Sequence, residues 1–291
     1  NSLEASRPAR YSMGLFAAVS PQGDQVAATI SETSVFVMMN DIYFSQLFFP
    51  ATGEIALFDA DTGTMARLDG ASRKDMIQTA PAWSQDGKTL AFSRAQVNPE
   101  LVQKVVDRRV VNEPATQKIY ELNKKYPVQF DIYTLELEEQ NLEAVPLKGA
   151  SNNGSSNYFP RYSPDGKWIV FTRSPTGLVL QPDSRLFIVP ARGGRARELA
   201  ANQPVMNSWH SWSPDSRWLV FTSKARSAFT ELYLTHIDEQ GKSSPAIRLF
   251  RLSSNDMAAM VPEFVPAGAL ISEQISFGPG AVGESMAVDG R

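Results

Sequence analysis

YSPDGKWIVFT, residues 162–172, joins a turn to a strand without a break. Pro164 presets φ for the first corner, Asp165 follows, and Gly166 supplies the positive φ that lets the chain reverse, as in short hairpins. Trp168, Ile169, Val170, Phe171 and Thr172 are all aromatic or β-branched, the types that fit a pleated surface. Three more copies lie along the chain: VSPQGDQVAAT (19–29), WSQDGKTLAFS (83–93) and WSPDSRWLVFT (212–222). In the last, Ser216 stands where glycine is expected, so that turn should be strained or of another type.

Each copy is followed by a second strand-like run that ends in a polar turn. These runs are GEIALFDADTGTMARL (53–68), FDIYTLELEEQNLEAVPL (130–147), SRLFIVPARGGRARELA (184–200) and TELYLTHIDEQGKSSPAIRLF (230–250). RLFIVPA and ELYLTHI alternate with the period of two expected of strands, and DTG, RGG and EQG read as hairpin turns. One unit is therefore strand, SPDG turn, strand, connection, strand, turn, strand. The fold class is all-β, a β-propeller of four-stranded antiparallel blades. The strand after each turn is apolar on both faces, Trp168 and Val170 against Ile169 and Phe171, as stacking between neighbouring blades requires.

With their PRYSP and SWHSWSP approaches, these units resemble the WD-like propeller repeats of the TolB type, from about residue 15 to 250 and more faintly through VPEFVP (261–266). The resemblance implies a protein outside the cytoplasm, periplasmic or otherwise extracytoplasmic. Members of the group bind protein partners, are attached to peptidases, or neighbour extracytoplasmic redox systems. Some relatives carry a Cys-x-x-Cys-His haem motif, which a chain without Cys cannot share.

The turn serines Ser20, Ser84, Ser163 and Ser213 lie 64, 79 and 50 residues apart. A plain blade takes about 40 to 45 residues, so the first two units hold insertions, at about 35–49 and 98–129. The second is charged and helix-prone, with helices expected near 100–111 and 115–125. Four units are clear, so either the ring is small or open, with the termini building a composite extra blade, or the chain is part of a longer propeller. The propeller is assigned to 1–266 and an extended C-terminal tail, rich in Gly and small residues, to 267–291. The chain opens on Asn without a signal-peptide pattern, so a leader has been removed or the sequence begins inside a longer protein.

Composition narrows the chemistry. The 291 residues are 43% hydrophobic and 20% charged, with 28 basic against 31 acidic residues, no Cys and two His. That excludes disorder, thiolate catalysis, iron–sulfur clusters and Cys-ligated zinc. A net charge of −3 gives no general attraction to nucleic acid or anionic lipid, and no run is long and apolar enough to span a membrane. Gly283-Glu284-Ser285-Met286-Ala287 is the nearest hydrolase elbow but lacks a strand and helix around it. Asp59-Ala60-Asp61-Thr62-Gly63 has the start of a calcium loop without its later ligands and reads as a turn. The Arg192-Gly193-Gly194-Arg195 stretch reads as a hairpin turn between solvated arginines. No cofactor or metal is expected.

Surface recognition remains. Residues ahead of each SPDG strand converge from different blades on one mouth of the central channel, and Asn157, Tyr158, Arg161, Asn207, Trp209 and His210 are the candidate partner-binding set. Gln78, Met260 and Glu263 occupy similar places, while Trp83 and Trp212 are expected to pack between blades. The expected function is a non-enzymatic protein–protein interaction scaffold, an accessory subunit on a larger complex such as a membrane-bound redox complex. The alternatives are a small-ligand or glycan-binding or hydrolysing propeller with a central-channel site, or the propeller part of a peptidase.

Overall fold

The computed structural model describes residues 16–38, 46–106, 124–125, 127–175, 177, 181–253 and 257–264. It is all-β apart from short helical turns, and its strands form four antiparallel units. The first holds β1 (Ala17–Val19), β2 (Gln25–Met38), β3 (Gln46–Asp59) and β4 (Thr64–Arg67); the second holds β5 (Met76–Trp83), β6 (Thr89–Gln96), β7 (Asp131–Glu136) and β8 (Val145–Pro146). The third holds β9 (Ser156–Tyr162), β10 (Trp168–Ser174), β11 (Arg185–Pro190) and β12 (Arg197–Glu198). The fourth holds β13 (Asn207–Trp212), β14 (Trp218–Ser223), β15 (Glu231–His236) and β16 (Ile247–Arg248). Within each unit the strands pair in sequence order, and a single parallel bridge, Gly53 with Ile77, joins the first two.

All four SPDG turns close alike. The residue at the glycine position donates its N–H to the turn serine's carbonyl: Gly23 to Ser20 at 2.9 Å, Gly87 to Ser84 at 3.0 Å, Gly166 to Ser163 at 2.8 Å and Ser216 to Ser213 at 2.9 Å. Of the two expectations for Ser216, strain or a different turn, the structure takes the first: the turn closes like the others with a serine at positive φ. It adopts φ 61, beside φ 70 at Gly166, and its Oγ accepts the Asp165 N–H of the neighbouring turn at 2.8 Å. The turn serine does more than begin the turn. Ser163 Oγ donates to Asp165 Oδ1 at 2.6 Å and accepts the Trp168 N–H at 3.0 Å. Ser84 and Ser213 repeat this clasp with Asp86 and Asp215. Ser20 does so with Asp24, two positions later.

The units stack through apolar cores. Leu90, Phe92 and Leu135 pack toward the first unit with Ala27 and Ile55. Ile169, Phe171 and Val189 meet Ala91 and Ile132 of the second, and Leu219, Phe221 and Tyr233 meet Val170, Leu186 and Ile188 of the third. The expected two-sided burial of the second strand holds for Ile169, Val170 and Phe171, but Trp218 is 38% exposed. Trp83 and Trp212 pack between units, as expected. Their indole N–H groups donate across the seam to the carbonyls of Ala18 (2.8 Å) and Arg161 (3.2 Å).

The innermost strands of the second, third and fourth units each carry a bulge. Ala80, Phe159 and Trp209 take φ 53, 59 and 49, where the register to the second strand shifts. The signature recurs after the fourth unit. Ala259 N–H donates to Thr230 O at 2.9 Å, as Asn157 does to Phe130 O at 2.6 Å and Asn207 to Ser184 O at 3.3 Å, each acceptor preceding a third strand. Val261 takes φ 47 at the bulge position.

The first insertion lengthens a hairpin, with β2 and β3 paired out to Met38 and Gln46. In the second, α1 (Pro99–Val106) starts at an Asn98 cap, whose Oδ1 accepts the Glu100 N–H at 3.1 Å, and Pro99 suits the first helical position. Leu101 is buried in the central core, so this helix is anchored rather than solvated. The remainder of the expected 100–111 helix, most of 115–125 and the tail at 267–291 lie outside the described residues.

Candidate protein-docking site

The six candidate residues come together around the propeller axis, but five of them are buried. Asn157 and Asn207 hold polar loops shut. Asn157 Nδ2 donates to Ser155 O at 3.0 Å and to Asn153 Oδ1 at 3.1 Å, while its Oδ1 accepts Arg173 Nε at 2.9 Å. Asn207 Nδ2 donates to Gln203 O and Ser184 O at 2.9 and 3.1 Å, and Gln78 does the same to Gly53 O at 2.9 Å. Their amides match the number of groups left unpaired where a loop enters the innermost strand, which is why the same residue types recur there.

Tyr158 and Trp209 fill the axis. Phe16 packs against Tyr158, Phe159 and Trp209 with ring centroids 6.2, 5.3 and 6.0 Å apart, and Phe130 meets Tyr158 edge-on at 5.1 Å. Tyr158 OH sits 3.4 Å from Thr79 Oγ1, and burial raises its pKa well above the ordinary tyrosine value. This part of the axis is a core, not an open channel. His210 is buried beside it, with Nε2 3.0 Å from Val170 O. Burial lowers its pKa to about 3, helped by the nearby Arg161 charge, so the ring is neutral at pH 7. A neutral, enclosed imidazole is a structural element of the seam.

Toward the SPDG end the axis opens. The innermost strands place Ala18, Ala82, Arg161 and Ser211 at equivalent positions, two residues ahead of each turn serine, and Glu263 continues the series. A depression of about 300 Å³ lies here, lined by Ala18, Val19, Pro21, Ala82, Trp83, Gln85, Arg161 and Tyr162. Arg161 is half-buried, with its guanidinium 4.1 Å from the Phe159 ring centroid. Burial lowers its pKa and the Glu263 charge opposes that shift. Glu263 does not reach it as an ion pair; its Oε2 instead accepts Ser211 Oγ at 2.6 Å. Among the described residues the Arg161 guanidinium has no hydrogen-bonding or ion-pair partner.

A second surface feature went unread in the sequence. Ile247, Phe250, Leu252, Met257, Met260 and Val261 are 41 to 68% exposed along the flank of the fourth unit and the segment that follows. The signal was available: apolar residues recur through AIRLFRLSSNDMAAMV without the alternation of a strand.

The remaining motifs behave as turns. Asp59 Oδ1 accepts the Thr62 N–H at 2.8 Å and its hydroxyl at 2.9 Å, bonds that lower its pKa. Gly193 and Gly194 take φ 82 and 150 in the β11–β12 connection. His236 lies in β15 with Trp218 edge-on at 5.1 Å. The Gly283–Ala287 stretch is outside the described residues.

No protein-family model matches the chain, and no curated protein does. Among solved structures it is similar to a TolB protein from Agrobacterium tumefaciens, at 17% identity and a TM-score of 0.45 over 80% of this chain and 79% of that one. It is similar also to TolB from Acinetobacter baumannii, at 17% and 0.45 over 86% of this chain and 56% of that one. A puromycin-hydrolyzing peptidase from Mycobacterium tuberculosis matches at 14% and 0.42, over 82% of this chain and 31% of that one. All three lie below 25% identity and a TM-score of 0.5, and none carries a residue role to this chain.

Proposed function

We propose that the chain is a protein-docking propeller, a non-enzymatic scaffold that works outside the cytoplasm as an accessory subunit of a larger assembly. The observation that carries this reading is the exposed apolar strip from Ile247 to Val261. Large apolar side chains exposed together on one stretch of chain favour an interaction site, and methionine and aromatic residues are enriched in protein interfaces. It lies on the flank of the fourth unit, where the first three units each meet a successor. The repeat resemblance favours a partner complex with an extracytoplasmic face, a membrane-bound redox complex among them. The insertion anchored by Leu101 and the tail at 267–291 are the further elements that would hold such a partner. Against the alternative of a ligand or glycan site deep in the channel stands the aromatic packing of Phe16, Tyr158, Phe159 and Trp209.

Untagged purification from native membranes tests the reading. Stoichiometric co-elution with another protein supports it, and recovery as a lone monomer overturns it. The double variant Phe250→Ser, Leu252→Ser should lose the partner with stability changed by no more than about 0.5 kcal/mol, since both side chains are exposed; full retention would remove this strip as the interface.

A further inference from the structure

We infer that the depression at the SPDG end of the axis is a carboxylate-binding pocket, built to take an Asp or Glu side chain of a partner peptide onto Arg161. This rests on the protein-docking reading and deepens it. Four observations converge. The guanidinium is half-buried, lines the depression and, among the described residues, has no hydrogen-bonding or ion-pair partner, so its several N–H donors are available to an incoming acceptor. The one acidic residue at the equivalent ring position, Glu263, is held by Ser211. The volume, about 300 Å³, is at the small end for ligand sites and suits one acidic side chain with an apolar neighbour. The walls are of two kinds: Trp83 and Tyr162 are aromatic, while Ala18, Val19, Pro21 and Ala82 are apolar. Gln85 adds a polar side chain to these walls, so the lining can meet both the polar backbone and an apolar neighbour of an acidic side chain, which a free anion does not have. Trp83 is fixed by its bond to Ala18 O, and Trp212 fixes the Arg161 backbone, so the pocket is preformed.

The charged and titratable groups facing Arg161 from the packed elements are Glu263 and the neutral His210. Glu263 competes electrostatically with an incoming carboxylate. Its neutralisation should therefore tighten binding.

The test uses the whole chain and two probes, acetyl-Leu-Glu-Leu-amide and acetyl-Leu-Gln-Leu-amide, followed through the indole N–H resonance of Trp83. The acidic peptide should saturate this shift at least about tenfold more tightly than the amide peptide, the difference expected of a charge-assisted hydrogen bond. Arg161→Gln should erase the preference, Arg161→Lys should keep part of it, and Glu263→Gln should strengthen it severalfold. Equal affinity for the two peptides, an unchanged preference in Arg161→Gln, or no saturable shift with the acidic peptide would each overturn the inference. Should Arg161→Gln not fold, Arg161→Lys and Glu263→Gln decide, because only a carboxylate bound at Arg161 makes them move in opposite directions. Arg161-dependent peptide binding by a chain that purifies alone would defeat the docking reading and leave the pocket standing; co-elution that survives Arg161→Gln, with the peptide preference absent, would do the reverse.

Discussion

The third and fourth units share strand order, register and turn clasp, yet they differ in what stands beside them. Trp168 and Trp218 open their second strands at equivalent positions. Trp168 is half-buried under the Arg197 guanidinium, 5.3 Å from its ring centroid, and against the Gly241 turn, so close that a Cβ there would lie 3.0 Å from the indole. Among the described residues Trp218 has its own sheet's His236 edge-on, and it is 38% exposed. The same motif therefore builds the same sheet whether or not a neighbour covers it. Blade geometry is local, and burial is conferred by the adjoining unit.

Substitutions in the two units can break or refine that contrast. Phe171, fully buried between the second and third units, should cost about 3–5 kcal/mol on truncation to alanine, whereas Trp218→Ala should cost about 1 kcal/mol or less. Urea unfolding that gave equal losses would refute the difference in cover.

A second contrast concerns acid. Pro160 in β9 occupies the place that His210 has in β13. His210 has its pKa depressed to about 3 by burial, so between the ordinary value near 6.5 and about 3 the unfolded chain binds a proton that the folded chain does not. This stability is present above pH 6.5 and falls as pH falls, by about 1.4 kcal/mol per unit, or about 2 kcal/mol between pH 6.5 and 5. His210→Gln should flatten that slope; a slope equal to the parent's would show that another group supplies it.

Where the units are alike, the losses should be alike. Ser163→Ala and Ser213→Ala each leave a backbone N–H, of Trp168 or Trp218, without its acceptor and take one of two hydrogen bonds from the aspartate Oδ1, and each should cost about 1–3 kcal/mol. Markedly unequal values would mean that the clasp depends on the neighbour after all. A small effect is expected of Gly166→Ala, about 1 kcal/mol. Nothing lies within 4 Å of the added Cβ at φ 70, so only backbone preference opposes it. Ser216→Gly should return less than that, because it also removes the bond to the Asp165 N–H.

Much of this was written in the sequence. Proline, aspartate and glycine have narrow local preferences, so the turns and the strands after them could be placed from residue type alone. Asn157 and Asn207 could not be oriented this way, because an amide suits a partner-facing mouth and a closed loop equally well. Structure resolved the choice toward the loop. The bulges at Ala80, Phe159 and Val261 had a signal that is clear in retrospect. Each precedes a proline, Pro81, Pro160 or Pro262, and proline inside a sheet is confined to edges and bulges. Trp209, followed by His210, lacks even that. Burial of Tyr158 and Trp209 on the axis depends on segments far apart in sequence, those of Phe16, Ala80 and Phe130 among them, and no local pattern encodes it.

The two indole latches have a mechanical consequence. Trp83 ties the second unit to the first, and Trp212 ties the fourth to the third; Gln22 to Asp86 O, at 3.3 Å, and Asp165 to Ser216 double those same seams on the turn face. Between the second and third units the matching residue is Tyr162, whose ring has no N–H to offer. Ties at that seam lie away from the Tyr162 position, from the Phe159 N–H to Ser93 Oγ at 3.2 Å, between Thr79 and Tyr158, and at the periphery from the Gly194 N–H to Lys148 O at 2.9 Å. The turn face is thus stiff in pairs and compliant along one line. Arg161 and Tyr162 sit on that line, so tension applied there would be borne first by the rim of the depression they share.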